Sequence, residues 1–203
     1  MPGQKLIPVA GIIEIAPLGA ILARSDNSAV SIKSLYFDFA AGTLMQGPEG
    51  SRTAVNVAAT TTAPIIAATP LTWLNMYGTG YSPSQDETTA DAPVEWGDAD
   101  NKYGDDSEVT KIVHTFSFEG LYKSSELFWK SLRTTKDAFG NERLYYARFF
   151  PEGKKGGAEV WHGAVENRGL SVDFAREDYA TMSVDFPYKS RGYITDLPAV
   201  YPA

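Results

Sequence analysis

Two histidines and 25 acidic side chains are the groups in this 203-residue chain that could do chemistry. His114 and His162 each sit in an alternating, strand-like context. A serine hydrolase would need one of them beside a serine and a carboxylate, and the G-x-S-x-G elbow that presents such a serine is missing. Paired carboxylates alone suffice for glycoside hydrolysis, so composition leaves an Asp/Glu hydrolase open while singling out no pair. Asp98-Ala-Asp100-Asn-Lys102-Tyr-Gly104 has the oxygen-rich character of a calcium loop. It departs from that template at Lys102, at Tyr103 where the turn glycine belongs, and at Val109 in the last ligand position. Asp105 and Asp106 could complete only an irregular site, and a solvated or partner-facing acidic segment is the simpler reading. Gly78-Thr-Gly80 lacks the third glycine of a dinucleotide fingerprint, and no P-loop occurs. Lys154-Lys-Gly-Gly157 reads as a basic hairpin tip. Nothing in the chain demands an enzyme.

Composition narrows the classes further. The chain has no cysteine, which excludes disulfides, thiolate zinc sites, iron–sulfur clusters and a cysteine nucleophile. Hydrophobic residues at 43% and aromatics at 12% describe a globular protein. Eleven Tyr, ten Phe, 18 Gly and 12 Pro favour β structure with many turns. The net charge of −7 argues against a protein that reads nucleic-acid sequence, which needs a basic footprint. That charge is localised. Residues 76–108 hold nine acids and one base, a net of −8, whereas the other 170 residues hold 17 bases and 16 acids, a net of +1.

These residues must be positioned by a small set of elements. Residues 1–24 read as an N-terminal arm and first strand. Leu6 to Ala23 is mostly apolar, but Pro8, Glu14 and Pro17 interrupt it, which favours an arm with a buried strand over a signal peptide. Val30 to Phe39 reads as a strand, Arg52 to Thr60 alternates, and the Thr- and Pro-rich run to Pro70 is ambiguous. Residues 76–108 read as one long acidic loop, with Trp96 and Tyr103 packing it on something. Val109 to Glu119 alternates, placing Ile112, His114, Phe116 and Phe118 on one face. Residues 124–137 read as a helix capped by Ser124, with Glu126 in its first turn and a Leu127, Phe128, Leu132 stripe. Strands follow at 143–150, 158–167, 169–175 and 179–188, the last two a hairpin across 176–178, and residues 191–203 form an extended tail. The fold expected is one mainly β domain over 1–203: a β-sandwich or barrel-type subunit with one flanking α-helix, a long acidic loop and extended terminal arms.

The order of segments resembles the tail tube (major tail) proteins of long-tailed bacteriophages. The likeness lies between Val109 and Ile194, above all in Ala164-Val-Glu-Asn-Arg-Gly-Leu-Ser-Val-Asp-Phe174 and Asp178-Tyr-Ala-Thr-Met-Ser-Val-Asp-Phe-Pro-Tyr188. It implies a virion structural protein, not an enzyme, with no cofactor and no metal. Its copies would form hexameric rings stacked into a tail tube, a conduit for DNA ejection. Its partners would be further copies of itself, then tape-measure, terminator and distal tail proteins, with no membrane; assembly would occur in the host cytoplasm and the product in the virion tail. DNA would pass without specific binding, since acidic groups repel a moving polyanion.

On this reading Trp96, Tyr103, Asp98 and Asp100 are candidate inter-subunit or inter-ring contacts, and the two termini are further interface candidates. Asp38, Asp173 and Asp185 are candidate lumen-facing acids, on strands whose neighbours alternate apolar. A different class also fits: a monomeric β-sandwich binding module for carbohydrate or a cell surface, with Tyr145, Tyr146, Trp161 and Tyr179 as an aromatic platform.

Overall fold

The computed structural model describes residues 11–56, 73–77, 80–91, 107–122, 126–174 and 180–201. Strand β1 (Ile12–Pro17) is a β-branched run that ends where Pro17 has no N–H to give to a ladder. A single helical turn, α1 (Gly19–Leu22), follows. A short meander comes next: β2 (Tyr36–Asp38), β3 (Thr43–Gln46) and β4 (Thr53–Ala54). Then come β5 (Leu74–Tyr77), β6 (Gly80–Asp91), β7 (Ser107–Leu121) and the helix α2 (Leu127–Thr135). The chain closes with β8 (Leu144–Phe150), β9 (Glu159–Glu166), β10 (Arg168–Asp173), β11 (Thr181–Pro187) and β12 (Tyr193–Asp196).

These strands make three antiparallel sheets, so the protein is mainly β with few helices, a sandwich with one flanking helix of more than a turn. A five-stranded sheet in the order β12-β9-β8-β1-β5 is the central layer. A four-stranded sheet, β10-β11-β7-β6, covers one of its faces with the help of α2, and the three-stranded β2-β3-β4 sheet covers the other. Every residue of β8 is therefore buried, and its two sides feed two cores. Tyr145, Ala147 and Phe149 join Ile13, Ile15, Phe118, Trp129 and Val184 in the first. Leu144, Tyr146 and Phe150 join Leu35, Phe37, Leu44 and Val160 in the second. Alternation along one strand thus serves both layers.

The helix is shorter than its sequence pattern predicts. It starts at Leu127 after Glu126, whose side chain makes no cap hydrogen bond, and the expected cap Ser124 lies outside the described residues. The buried stripe is Phe128, Trp129 and Leu132, while Leu127 is 66% exposed in the first turn. Trp129 Nε1 donates to the Leu121 carbonyl at 3.0 Å, which ties the helix to the end of β7. From below, the Tyr145 hydroxyl lies 3.0 Å from Ser131 Oγ and 2.7 Å from Thr135 Oγ1, and Asn167 Nδ2 donates to the Leu132 carbonyl at 2.8 Å.

Within the region expected as one acidic loop, residues 80–91 are instead a strand, β6, in a β-hairpin with β7. β6 and β7 pair from Gly80↔Glu119 to Asp91↔Ser107, with one bulge between Thr88 and Thr89. Pro83 is tolerated because β6 is an edge strand. Residues 92–106, with Trp96, Asp98, Asp100 and Tyr103, lie outside the described residues, as do 1–10 of the arm. The C-terminal stretch read as a tail contributes β12, which pairs with β9.

One interaction inside the second core is ionic. Glu14 on β1 faces Arg148 on β8 in register, and Arg148 Nε donates to Glu14 Oε2 at 2.5 Å with the two side chains 7% and 3% exposed. Lys154 Nζ reaches Glu14 Oε1 at 2.5 Å, so this lysine of the basic turn is an ion-pair partner and not a free tip. The guanidinium lies 3.6 Å from the Trp73 ring centroid and 5.0 Å from that of Phe37. Burial lowers the Arg148 pKa, opposed by the Glu14 charge. Removing one member of such a pair leaves an uncompensated buried charge. Glu14→Ala is expected to cost about 3–5 kcal/mol in urea denaturation. A loss below about 1 kcal/mol would instead match a solvent-exposed pair and contradict this burial.

Candidate functional site

The residues that sequence reasoning marked for chemistry are dispersed. His162, on β9, is fully buried. Its Nδ1 lies 2.8 Å from the Tyr146 hydroxyl, which in turn accepts the Phe37 N–H at 2.8 Å; its Nε2 lies 3.2 Å from Thr195 Oγ1. The tyrosine hydroxyl accepts from Phe37 and so donates to Nδ1, which leaves the ring proton on Nε2 pointing at Thr195. Burial, with Arg148 and Arg52 nearby, lowers the His162 pKa from 6.5 to about 3, and burial raises that of Tyr146 well above 10. The Tyr36, Phe39 and Tyr193 rings enclose the imidazole. This is a structural network that joins β2, β8, β9 and β12 around a buried, neutral ring. His114, by contrast, is exposed on β7, one residue beyond the end of its ladder with β11.

The aromatic platform also fails. Tyr145 and Tyr146 are fully buried, and as sequence neighbours on β8 they point into opposite cores. Tyr179 lies outside the described residues.

The feature that remains is the outer face of the four-stranded sheet. Along β11, Met182, Val184 and Phe186 turn inward, so Thr181, Ser183 and Asp185 face out. Across the ladders, Glu119 stands opposite Ser183, Ser117 opposite Asp185, Ser171 opposite Ser183 and Asp173 opposite Thr181. Ser117 Oγ donates to Asp185 Oδ1 at 2.6 Å, and the Ser171 and Ser183 hydroxyls lie 2.7 Å apart. Two of the three acids named from sequence, Asp173 and Asp185, are thus brought onto one face, with Glu119 as a third that sequence reasoning did not name. Its signal was the strict alternation of Ser117 and Glu119 with Phe116 and Phe118. Arg168 stands opposite Asp185, but its Nη2 is bound to Glu166 Oε2 at 2.9 Å. The described part of the face therefore carries hydroxyls, three carboxylates and the half-exposed Leu121 opposite Thr181.

Asp38 is placed elsewhere. It ends β2 in the small sheet and accepts the N–H groups of Ala40 at 2.9 Å and Ala41 at 3.1 Å, which forms the turn into β3. Asp38 therefore lies in a different sheet from Asp173 and Asp185.

The edges of this sheet are open among the described residues, β10 on one side and β6 on the other. β10 is exposed along almost its whole length, with Val172 at 36% and the following Phe174 at 70%. A bulge between Arg168 and Ser171 shapes its start, and Gly169 sits there at φ +65°. A Cβ at Gly169 would come within 2.6 Å of Asp185 Oδ2, so only glycine lets the edge strand pass that carboxylate. On the far side, β7 pairs with β11 only from Thr115 to Leu121. From Val113 back to Ser107 its ladder partner is β6 alone, a two-stranded arm running about 20 Å past the end of β11.

No family model matches the chain, and no curated protein matches it by sequence. Among solved structures, a chain from the virion of a native gene transfer agent particle is similar with 8% identity and a TM-score of 0.41, over 61% of this chain and 88% of that one. A chain from the tail of an empty gene transfer agent particle with C6 symmetry is similar with 10% identity and a TM-score of 0.41, over 57% of this chain and 80% of that one.

The neutral state of His162 has a consequence for stability. Its folded pKa of about 3 lies below the ordinary 6.5, so between those values the unfolded chain binds the proton and the fold does not. Stability contributed by the neutral ring is complete above pH 6.5 and is lost as pH falls toward 3. Relative to His162→Gln, the native protein is expected to lose up to about 1.4 kcal/mol per pH unit across that window in denaturant titrations. Parallel curves for the two proteins would mean that the ring is protonated inside the fold.

Proposed function

We propose that this chain is a structural subunit of a phage-like virion tail, whose copies join edge to edge into hexameric rings and stack into a tube through which DNA passes. The observation that carries this reading is the four-stranded sheet. One face seals the core, the other is hydroxylic and acidic, both edges are open among the described residues, and the sheet continues into a bare two-stranded arm. Open edges left unblocked invite another strand. Setting β10 of one copy beside β6 of the next would extend the sheet indefinitely, and a rotation that closes gives a ring. The outer face would then line the lumen, where Glu119, Asp173 and Asp185 repel phosphates without offering bases or aromatic rings to hold them. The segment with Trp96, Asp98, Asp100 and Tyr103, at the end of the arm, would contact a neighbouring copy or ring. The likeness of residues 109–194 to tail tube proteins supports the same assignment. Tape-measure, terminator and distal tail proteins would be its other partners, and the virion tail its destination.

Negative-stain microscopy of the purified protein is expected to show six-fold rings or tubes; isolated small particles at high concentration would refute the assembly. Replacing residues 92–106 by Asn-Gly closes the hairpin directly on the Asp91↔Ser107 pair. That variant is expected to stay folded and to form rings that do not stack, and long tubes from it would remove the segment from the contact.

A second expectation concerns the lumen. Tubes of the Glu119→Lys/Asp173→Lys protein are expected to retain duplex DNA in a salt-sensitive manner in co-sedimentation, whereas native tubes retain none. Equal behaviour of the two would place this face outside the channel.

A further inference from the structure

We propose that a cleft beside Phe139, rimmed by Lys33, Arg143 and Lys189, receives the acidic end of the β6–β7 hairpin from a second copy of this chain. The proposal deepens the assembly reading, on which it rests, by naming the surface that the arm meets.

The cleft has a volume of about 390 Å³, with Ile32 and Leu144 among its apolar lining. Phe139 stands in its wall with 89% of its surface exposed. Three cations surround one carboxylate there. Lys189 Nζ and Arg168 Nη2 approach Glu166 Oε2 at 2.7 and 2.9 Å, and Arg143 Nη1 lies 3.9 Å from Oε1. Glu166 is 13% exposed, whereas Arg168 and Lys189 are 55% and 39% exposed. The carboxylate therefore holds the cations from beneath and leaves their outer sides to solvent. Partial burial would raise the Glu166 pKa, but hydrogen bonds from Lys189 and Arg168 outweigh it and lower the value, which keeps the anchor ionised. Arg143 is fixed in place by giving Nε and Nη2 to the Asn167 carbonyl at 3.2 and 2.6 Å. With Lys33 counted, four cations against one carboxylate leave +3 here, in a body that nets only +1 outside residues 76–108.

The matching occupant is written in the same chain. Residues 86–108 carry nine acids and one base, with Trp96 and Tyr103 among them. A cationic rim over an apolar floor fits a segment that mixes carboxylates with aromatic rings. The arm that carries this segment is a two-stranded ribbon over its outer part, and such ribbons are marginal unless another surface covers them. A cleft on a neighbouring copy supplies that surface, and like-charged arms would repel one another away from it.

The test uses the full-length protein and a fluorescein-labelled peptide of residues 86–108, followed by fluorescence anisotropy. Binding is expected to the native protein and to weaken at least about tenfold for Lys33→Glu and for Lys33→Glu/Lys189→Gln, with salt weakening it further. Lys33 is exposed on a short turn and has no part in the ion pairs of Glu166 with Arg143, Arg168 and Lys189, so Lys33→Glu tests the cleft even if changes beside Glu166 disturb folding. A peptide with Asp98, Asp100, Asp105 and Asp106 changed to Asn is expected to lose binding. No binding to the native protein, equal binding to the variants, or equal binding of a scrambled peptide would each overturn the proposal. In microscopy of the same proteins, peptide binding by a native chain that never forms rings would overturn the tail reading and leave the docking site standing. Rings whose stacking is indifferent to Lys33→Glu, with no peptide binding, would do the reverse.

Discussion

The burial of β8 on both faces is the constraint from which the rest of the architecture follows. A strand that reads Leu-Tyr-Tyr-Ala-Arg-Phe-Phe offers apolar surface on both sides, so its sheet must be covered twice. The covering layers then differ in kind. The β2–β4 meander is small and is held by aromatic edges, Phe37 and Phe39 against Tyr146, Phe150 and His162. The other layer is a sheet in its own right, and because it covers only one face of the centre, its own outer face and both edges are left over. Antiparallel sheets commonly keep one face in solvent, so what sets this sheet apart is the pair of edges left open among the described residues.

The polar groups enclosed by this arrangement are held in definite states. The Glu14–Arg148–Lys154 cluster balances two cations on one carboxylate, with the Trp73 ring stacked on the guanidinium. The Phe37–Tyr146–His162–Thr195 chain passes hydrogen bonds in one direction and keeps the imidazole neutral. The hydrogen-bonded chain runs from the central sheet to β2, while the ion pairs join β1 and β8 within the central sheet and meet the covering layer where Phe37 packs on the Arg148 guanidinium. They select one registration of the layers where apolar packing alone would tolerate several. A histidine and several tyrosines that look catalytic in composition are used here to fix geometry.

Much of this was legible in the sequence where period-2 alternation is strong. The strands at 159–166 and 181–187, and the pairing of the last with 168–173, follow from alternation, and the strand at 144–150 from its near-continuous apolar run. β6 was not legible. Gly80 to Asp91 has no apolar alternation and contains Pro83, and it is a strand because β7 templates it from one side. The buried side of α2 was also misplaced, since a start at Leu127 puts that residue in the open first turn and turns Trp129 inward. Of the candidate site, Asp173 and Asp185 were identified by alternation alone. Asp38 shares that local pattern, and only the turn that captures Ala40 and Ala41 separates it from them. The gathering of Lys33, Arg143, Arg168 and Lys189 could not be read at all, because no periodicity links residues so far apart.

Charge placement is what distinguishes this molecule from an ordinary acidic sandwich. A net of −7 spread evenly would only keep copies apart. Here −8 sits in residues 76–108, while the remainder is close to neutral and gathers three of its 17 bases around Glu166. Opposite charges on separate parts of one chain attract between copies as strongly as they do within one, and within about 8–10 Å at physiological salt that attraction survives screening. If the proposed docking holds, such a molecule is self-complementary head to tail, and heterologous contacts of that kind propagate instead of closing on a pair. The sheet edges are heterologous in the same sense, since β10 and β6 are different strands. Two independent head-to-tail contacts in different directions generate a two-dimensional lattice of subunits, and a lattice closed in one direction and open in the other is a tube.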